Sequence, residues 1–235
     1  MDYSLSYVFL SFLLPLIYIC SAIGYGLFLF SYIFKINIDK FRLAIFFITG
    51  AFCRDFFLFI IGNFYLSKLL ILSIFGAGLL CFIIFYFNKL TQQYLCFLLK
   101  KNINLNLYNL LSFTLLIFIF LIAELSPKSF DFCNYHFHLP MVYLNANKIF
   151  AIEYNIHSLF FSFYHTGYLL FAIFKNYNAP LILQVFIVII AILSISNLLN
   201  QNFTKTFLFI CCIPTILFSI FTANTDLLSA MCFSI

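Results

Sequence analysis

Residues 69–87 read LLILSIFGAGLLCFIIFYF and contain no charged side chain. A run of about 20 predominantly apolar residues is long enough to cross the hydrocarbon core of a bilayer as an α-helix. In lipid, every backbone N–H and C=O group needs an internal hydrogen-bond partner, and a helix provides these partners within one segment. The run therefore predicts a membrane-spanning helix.

The rest of the chain has the same apolar character. Of its 235 residues, 65% are hydrophobic and 8% are charged, whereas an ordinary soluble domain has roughly 25% charged residues. So few charges cannot cover the surface of a water-soluble globule of this size, but lipid solvates an apolar surface. We therefore expect an all-α fold, a polytopic bundle of transmembrane helices embedded in a lipid bilayer.

Other apolar runs give the positions of the remaining helices. The predicted spans are residues 4–34, 43–61, 69–87, 107–125, 179–199 and 207–223. The first run has no basic segment before it, so we interpret it as a retained span and not as a cleavable signal peptide. Residues 158–174 form a shorter run that a Tyr-His-Thr-Gly sequence interrupts, and we expect this run to lie as a helix at the outer membrane surface.

The distribution of charge predicts the orientation. Loops rich in Lys and Arg lie preferentially on the cytoplasmic side, and residues 35–42 and 89–101 hold most of the basic side chains. These loops are therefore expected inside, with the N-terminus and residues 126–156 outside. The basic residues form no block typical of nucleic-acid-binding proteins, so we exclude that partner class. The eight cysteines lie mostly in apolar runs, and we interpret them as small buried apolar residues.

One stretch outside the predicted spans concentrates ionisable groups. Residues 126–140 read SPKSFDFCNYHFHLP and directly follow a predicted span. One interpretation is a solvated loop with an Asx turn and interfacial Tyr and His side chains. His136 and His138 would lie on one side of a strand, as two metal ligands do. The spacing fixes no third ligand, so we predict no metal site.

The same stretch contains the pattern D-x-x-x-Y-H-x-x-x-P-x-x-Y, formed by Asp131, Tyr135, His136, Pro140 and Tyr143. This pattern resembles the first outer loop of the GT-C glycosyltransferases, multi-spanning enzymes that include protein O-mannosyltransferases and lipid A aminoarabinose transferases. The resemblance extends over residues 107–235. Within it, the aromatic run 159–174 is similar to the family's juxtamembrane helix, and an Asn-Thr-Asp sequence at 224–226 follows two more apolar runs.

The resemblance implies an outer-face loop with juxtamembrane helices, in a multi-pass protein of the bacterial inner (plasma) membrane. The implied reaction transfers a sugar from a polyprenyl-phosphate-linked donor to a lipid, glycan or protein acceptor. A polyprenyl phosphate leaves without protonation, so the enzyme needs mainly a base for the acceptor and cations near the phosphate. By resemblance, Asp131 is the catalytic base, and the candidate substrate-binding residues are Lys128, Tyr135, His136, His157 and Asp226. Asp226 is equally well placed as an ordinary helix cap. The resemblance fixes no cofactor, although it allows a divalent cation.

The chain also departs from this family. Relatives usually place the catalytic loop after their first span, whereas residues 1–106 here contain about three additional predicted spans before the GT-C-like residues 107–235. Ile235 falls inside an apolar run that begins near Asp226, so we expect the enzyme core to be truncated in this chain, which can then be inactive alone. The alternative is a non-enzymatic membrane protein, such as a transporter part or an assembly subunit.

Polar and small residues inside the predicted spans need separate interpretations. Arg54 and Asp55 are neighbours, and neighbouring side chains on a helix point about 100° apart, so we expect them to pair poorly with each other. They can pair with other helices, line a polar cavity or lie where the helix is broken, and we favour structural pairing. Such charges also give the best support for a transporter, since intramembrane charges often mark ion paths. We expect Glu124, at the end of a span, to reach water. The G-Y-G and G-A-G sequences at 24–26 and 76–78 predict helix-packing sites.

Overall fold

The computed structural model describes residues 4–35, 43–87, 107–125, 136–152, 163–199 and 201–213, and every regular element in these ranges is a helix. The predicted all-α class is therefore confirmed. In chain order the helices are α1 (Leu5–Phe28, continued by a π-helical turn, Leu29–Ile33), α2 (Leu43–Gly62), α3 (Lys68–Tyr86), α4 (Leu107–Leu125), α5 (His138–Ala146), α6 (Phe163–Gly167), α7 (Leu169–Ile173), α8 (Ala179–Leu198) and α9 (Phe203–Cys211).

Four of these helices are long and apolar enough to cross a membrane: α1 with its π-helical turn, α2, α3 and α8. Helix α4 is also apolar from Asn109 to Leu125. These helices begin and end within one or two residues of the predicted spans. Helix α9 begins at Phe203, earlier than the predicted Phe207, because the Asn202 side chain caps it by accepting a hydrogen bond from the N–H of Thr204 at 2.9 Å.

Hydrogen bonds show which helix ends lie together at one end of the bundle, which we call the loop end. The Asn178 amide, just before α8, donates to the Glu124 carboxylate near the end of α4 at 2.7 Å. The hydroxyl of Ser11, near the start of α1, donates to the same carboxylate at 3.3 Å. The chain between α4 and α8 therefore leaves and returns at one end, as expected if residues 158–174 do not cross the bundle.

The opposite end, which we call the far end, is defined by two other contacts. The backbone N–H of Ala44, at the start of α2, donates to the hydroxyl of Ser194 near the end of α8 at 3.3 Å. The hydroxyl of Thr204 in α9 bonds to the side chain of Asn109 at the start of α4. Helices α4 and α8 thus run the whole length between the two ends, while α1 starts at the loop end and α2 starts at the far end.

Close glycine contacts hold α1 against α2 and α3. A Cβ atom at Gly24 would overlap the backbone of Gly78, and one at Gly26 would overlap the backbone of Phe46. Gly50 of α2 approaches the α1 backbone equally closely. Small residues allow this approach between helices that lipid does not drive together. The predicted packing sites are confirmed except at Gly76, where a Cβ atom would meet nothing within 4 Å.

The run 158–174 does not lie on the surface as we expected. Its described part, residues 163–174, contains the two short helices α6 and α7, separated at Tyr168, and they pack against α1, α2, α3 and α5. Residues 168–172 are each at most 2% exposed. A helix at a membrane surface needs one polar face, and α7 has none, so burial on all sides is the more stable arrangement.

Candidate functional site

Most of the residues implicated by the resemblance lie outside the described part of the chain. These residues are Lys128, Asp131, Tyr135, His157 and Asp226. Their assigned roles therefore remain predictions. The structure describes the end of the motif, from His136 onward, and the helices that surround the segment between α4 and α8.

The last positions of the motif lie on α5 and face the core. Pro140 and Tyr143 are both buried, and burial raises the pKa of the Tyr143 phenol. Pro140 lies in the first turn of α5, where the N–H that proline lacks would have no helical partner. The helix ends at Asn147, which adopts a left-handed conformation with φ 53°. The spacing of proline and tyrosine in the motif thus matches one inward face of a short helix.

His136 is paired with a histidine 29 positions further along the chain. Its Nδ1 lies 3.1 Å from Nε2 of His165 in α6, and both residues are 6% exposed. One nitrogen of this hydrogen bond donates and the other accepts, so at least one imidazole is neutral. The predicted common side for His136 and His138 is wrong, because His138 starts α5 and is exposed.

A second polar group lies between α1, α2, α3 and α6, and we call it the Arg54 cluster: Tyr18, Arg54, Asp55, Phe75 and Thr166. Arg54 Nε donates to Asp55 Oδ1 at 2.8 Å, and the Tyr18 hydroxyl donates to Asp55 Oδ2 at 2.9 Å. Arg54 Nη1 donates to the Tyr18 carbonyl at 2.8 Å. The guanidinium carbon lies 3.9 Å from the centre of the Tyr18 ring and 4.2 Å from that of Phe75.

The expectation that Arg54 and Asp55 would pair poorly with each other is wrong. Their Cβ atoms do point in different directions, but the three methylenes of the arginine let Nε reach the neighbouring carboxylate. Two aromatic faces then enclose the guanidinium, which cation–π attraction favours. Both residues are 1% exposed, so the charges neutralise each other within the protein. The interpretation of this pair as structural is supported by these contacts.

The Arg54 cluster also contacts α6, the helix that carries His165. The Thr166 hydroxyl donates to the backbone carbonyl of Asp55 at 2.9 Å. A Cβ atom at Gly167 would lie 2.7 Å from Asp55 Oδ2 and 2.8 Å from the Tyr18 hydroxyl oxygen. Any larger residue at position 167 would have to displace either α6 or these two side chains. The polar interruption at 164–167 was visible in the sequence, but its partners on α1 and α2 were not.

Glu124 is buried, contrary to the expectation that it reaches water. It is 8% exposed, because the turn at 176–178 covers the end of α4. Asn176 Oδ1 accepts hydrogen bonds from the backbone N–H groups of Asn178 and Ala179. It also lies 3.2 Å from the Ser11 hydroxyl, whose single proton is shared between Asn176 and Glu124. Glu124 Oε1 receives the Asn178 and Ser11 bonds described above, while the buried Oε2 has no partner within the described residues.

A third polar contact joins α8 to the break between α6 and α7. The amide of Gln184 donates to the Tyr168 hydroxyl at 3.1 Å. Burial raises the pKa of Tyr168 to about 12, which this hydrogen bond only partly offsets. Gln184 is the one polar side chain in residues 179–193, but the sequence did not indicate that its partner would be Tyr168. The bond fixes the point where the buried segment turns towards α8.

The described ranges contain no group of three or more His, Cys, Asp or Glu side chains that could hold a metal ion. The polar groups found there instead join helices to the segment between α4 and α8. No protein-family model matches the chain, and no curated protein and no solved structure matches it either.

Proposed function

We propose that this chain belongs to a membrane glycosyltransferase of the GT-C type. In this proposal it transfers a sugar from a polyprenyl-phosphate carrier to an acceptor at the outer face of the membrane. Asp131 acts as the general base that removes a proton from the acceptor hydroxyl or amine. The loop end would then face outward, with the far end towards the cytoplasm.

One observation carries the proposal, namely the arrangement of the chain between α4 and α8. This segment follows an apolar helix, forms a short helix with Pro140 and Tyr143 buried, continues as buried short helices, and rejoins a spanning helix at the same end. The resemblance implies this order of a spanning helix, a loop and juxtamembrane helices. In the sequence, Asp131 occupies the part of this segment between Leu125 and His136.

The chemistry requires one well-placed carboxylate and little acid catalysis. A phosphate is a good leaving group, so the main barrier is activation of the acceptor. Cationic or hydrogen-bonding groups near the carrier phosphate would stabilise the charge that develops there. Lys128 and His136 are the candidates for these contacts, and Tyr135, His157 and Asp226 for other substrate contacts.

The Arg54 cluster does not favour the transporter alternative. Intramembrane charges that line an ion path face a cavity or a water-filled channel. Arg54 and Asp55 instead bond to each other and to Tyr18, and two aromatic rings cover the guanidinium. This leaves the ordered arrangement at the loop end as the feature that needs a functional explanation.

The test is the substitution Asp131→Asn in protein expressed from its complete reading frame. Asparagine retains the oxygen that a turn requires but loses the basic carboxylate. Loss of a general base typically slows a reaction by about 10²–10⁴-fold. Sugar transfer from a polyprenyl-phosphate donor would be measured in membranes that contain equal amounts of each protein.

Asp39→Asn is the matched control, because Asp39 lies in a loop predicted on the opposite side. It should leave the transfer rate unchanged. An Asp131→Asn protein that transfers sugar at the wild-type rate would exclude Asp131 as the base. If the unaltered protein transfers no sugar from any polyprenyl-phosphate donor tested, the glycosyltransferase proposal itself is refuted.

A further inference from the structure

Among the contacts that join the N-terminal helices to the segment between α4 and α8, two sets of hydrogen bonds involve α2. The first lies where α2 turns into α3. The N–H of Ile149, just after α5, donates to the Gly62 carbonyl at 2.8 Å, and the N–H of Leu66 donates to the Asn147 carbonyl at 2.8 Å. Leu66 and Ile149 are 0% and 5% exposed. Two backbone hydrogen bonds therefore join the α2–α3 turn to the end of α5, within an apolar contact.

The second point lies deeper on α2, in the Arg54 cluster. There the Thr166 hydroxyl bonds to the Asp55 carbonyl, and Gly167 lies against the Asp55 carboxylate and the Tyr18 hydroxyl. The Tyr18 hydroxyl and Arg54 Nε each bond one carboxylate oxygen, so its position is fixed from two sides. Two hydrogen bonds therefore orient the carboxylate that α6 contacts.

Both points belong to the same helix. Asp55 and Gly62 are about two helical turns apart, or ~10 Å along the axis of α2. Helix α2 therefore contacts both short helices, α5 just beyond its C-terminal end and α6 at its C-terminal end. The side chains that meet between these two helices are His136 and His165, 3.1 Å apart and buried.

We infer that α1–α3 are a positioning scaffold for the segment between α4 and α8, which α2 holds at Gly62 and at the Arg54 cluster so that His136 meets His165. Asp55, Thr166 and Gly167 are positioning residues in this arrangement, since they act through α6. The inference concerns residues 1–106, for which the resemblance to glycosyltransferases supplies no role. It stands whether or not the protein transfers sugars.

Cross-linking between the two histidine positions tests the scaffold. His136 and His165 would both be replaced by cysteine in a version without the eight native cysteines, with a protease site inserted in residues 153–160. A short thiol-reactive cross-linker then keeps the two proteolytic fragments together on a denaturing gel. In native membranes we expect rapid cross-linking, because the imidazole nitrogens are within hydrogen-bonding distance.

Gly167→Ala should slow this cross-linking by at least about fivefold, because the added methyl group displaces α6 from the Arg54 cluster. Gly76→Ala is the matched control, since its Cβ atom meets nothing within 4 Å, and its rate should equal that of the parent. Thr166→Val, which keeps the shape but removes the hydroxyl, should also slow the reaction. Thr166→Ser retains the donor and should not.

Two results would overturn the scaffold. One is an unchanged cross-linking rate in both Gly167→Ala and Thr166→Val. The other is an equal decrease in Thr166→Val and Thr166→Ser, which would make the Thr166 hydroxyl irrelevant. Protein abundance in the membrane, measured for each variant, separates displacement of α6 from failure to fold. None of these readouts requires sugar transfer, so failure of the proposed function would leave the test of the scaffold intact.

Discussion

Removing the charges of Arg54 and Asp55 together should cost far less stability than removing either one alone. Both residues are 1% exposed and bond directly through Arg54 Nε and Asp55 Oδ1 at 2.8 Å. Arg54→Leu leaves a buried carboxylate with the Tyr18 hydroxyl as its remaining side-chain donor. Asp55→Leu leaves a buried guanidinium between two aromatic rings, with the Tyr18 carbonyl as its acceptor.

The structure allows a rough estimate for each variant. Breaking a buried pair by removing one partner typically costs about 3–5 kcal/mol, because the other charge is left uncompensated. Replacing both partners by apolar residues is often neutral or stabilising by about 1–4 kcal/mol. The Tyr18 hydroxyl then loses its acceptor, which costs about 1–3 kcal/mol. The free energy of unfolding of the double variant should therefore lie within about 2 kcal/mol of that of the unaltered protein and should exceed that of both single variants.

Unfolding by a denaturing detergent, monitored by protease resistance in mixed micelles, would measure these differences. Lys68→Leu is the control, because Lys68 is exposed at the start of α3 and its replacement should change stability by no more than about 0.5 kcal/mol. Additive effects, in which the double variant loses the sum of the two single losses, would refute the pairing. A double variant that stays stable but loses a measured activity would instead identify a functional pair.

Three further outcomes are expected. Gly50→Ala should destabilise the bundle by about 1–3 kcal/mol, because a Cβ atom there overlaps the α1 backbone, whereas Gly76→Ala should be nearly neutral in the same unfolding assay. Burial raises the pKa of Tyr168 to about 12 in the folded protein. The stability that the protonated phenol contributes is therefore fully present below about pH 10 and is lost as the pH rises from about 10 to 12. The pH dependence of unfolding in this range should therefore be weaker in Tyr168→Phe, and an equal dependence would contradict the burial of this phenol. Alkaline phosphatase fused after Pro140 should be active, and fused after Lys101 inactive, because the loop end is predicted outside. The reverse pattern would invert the topology and exclude the proposed chemistry at the outer face.

The positions of the spanning helices could be predicted because each depends on the length of a single apolar run. Lipid solvates an apolar run regardless of which helices pack beside it. Helices α2 and α3 therefore begin and end close to the predicted residues. Packing depends on which face of a helix meets another helix, and sequence alone does not give that face. Gly76 and Gly78 have nearly the same local sequence, yet only Gly78 lies against α1.

The candidate site was harder to predict because its contacts join residues far apart in the chain. His136 and His165 are 29 positions apart, and Asp55 and Thr166 are 111 apart. No periodicity within one helix indicates such partners. The error about Arg54 had a different cause, because helical geometry fixes the direction of Cβ but not the reach of a long, flexible side chain. Burial of Glu124 was missed for a third reason, since the turn that covers it is contributed by another part of the chain.

The polar contacts of the bundle are concentrated where the segment between α4 and α8 is attached. Spanning helices in lipid gain little from the hydrophobic effect when they associate, so close packing and hydrogen bonds hold them together. Glycine contacts provide that close packing between α1, α2 and α3. The short helices α5, α6 and α7 are too short to span, and insertion into lipid does not fix their positions. Hydrogen bonds at Gly62, Asp55 and Gln184 restrain them instead. The cost of burying Arg54 and Asp55 is then understandable, because a fixed carboxylate gives α6 a defined surface that an apolar contact between mobile side chains would not provide.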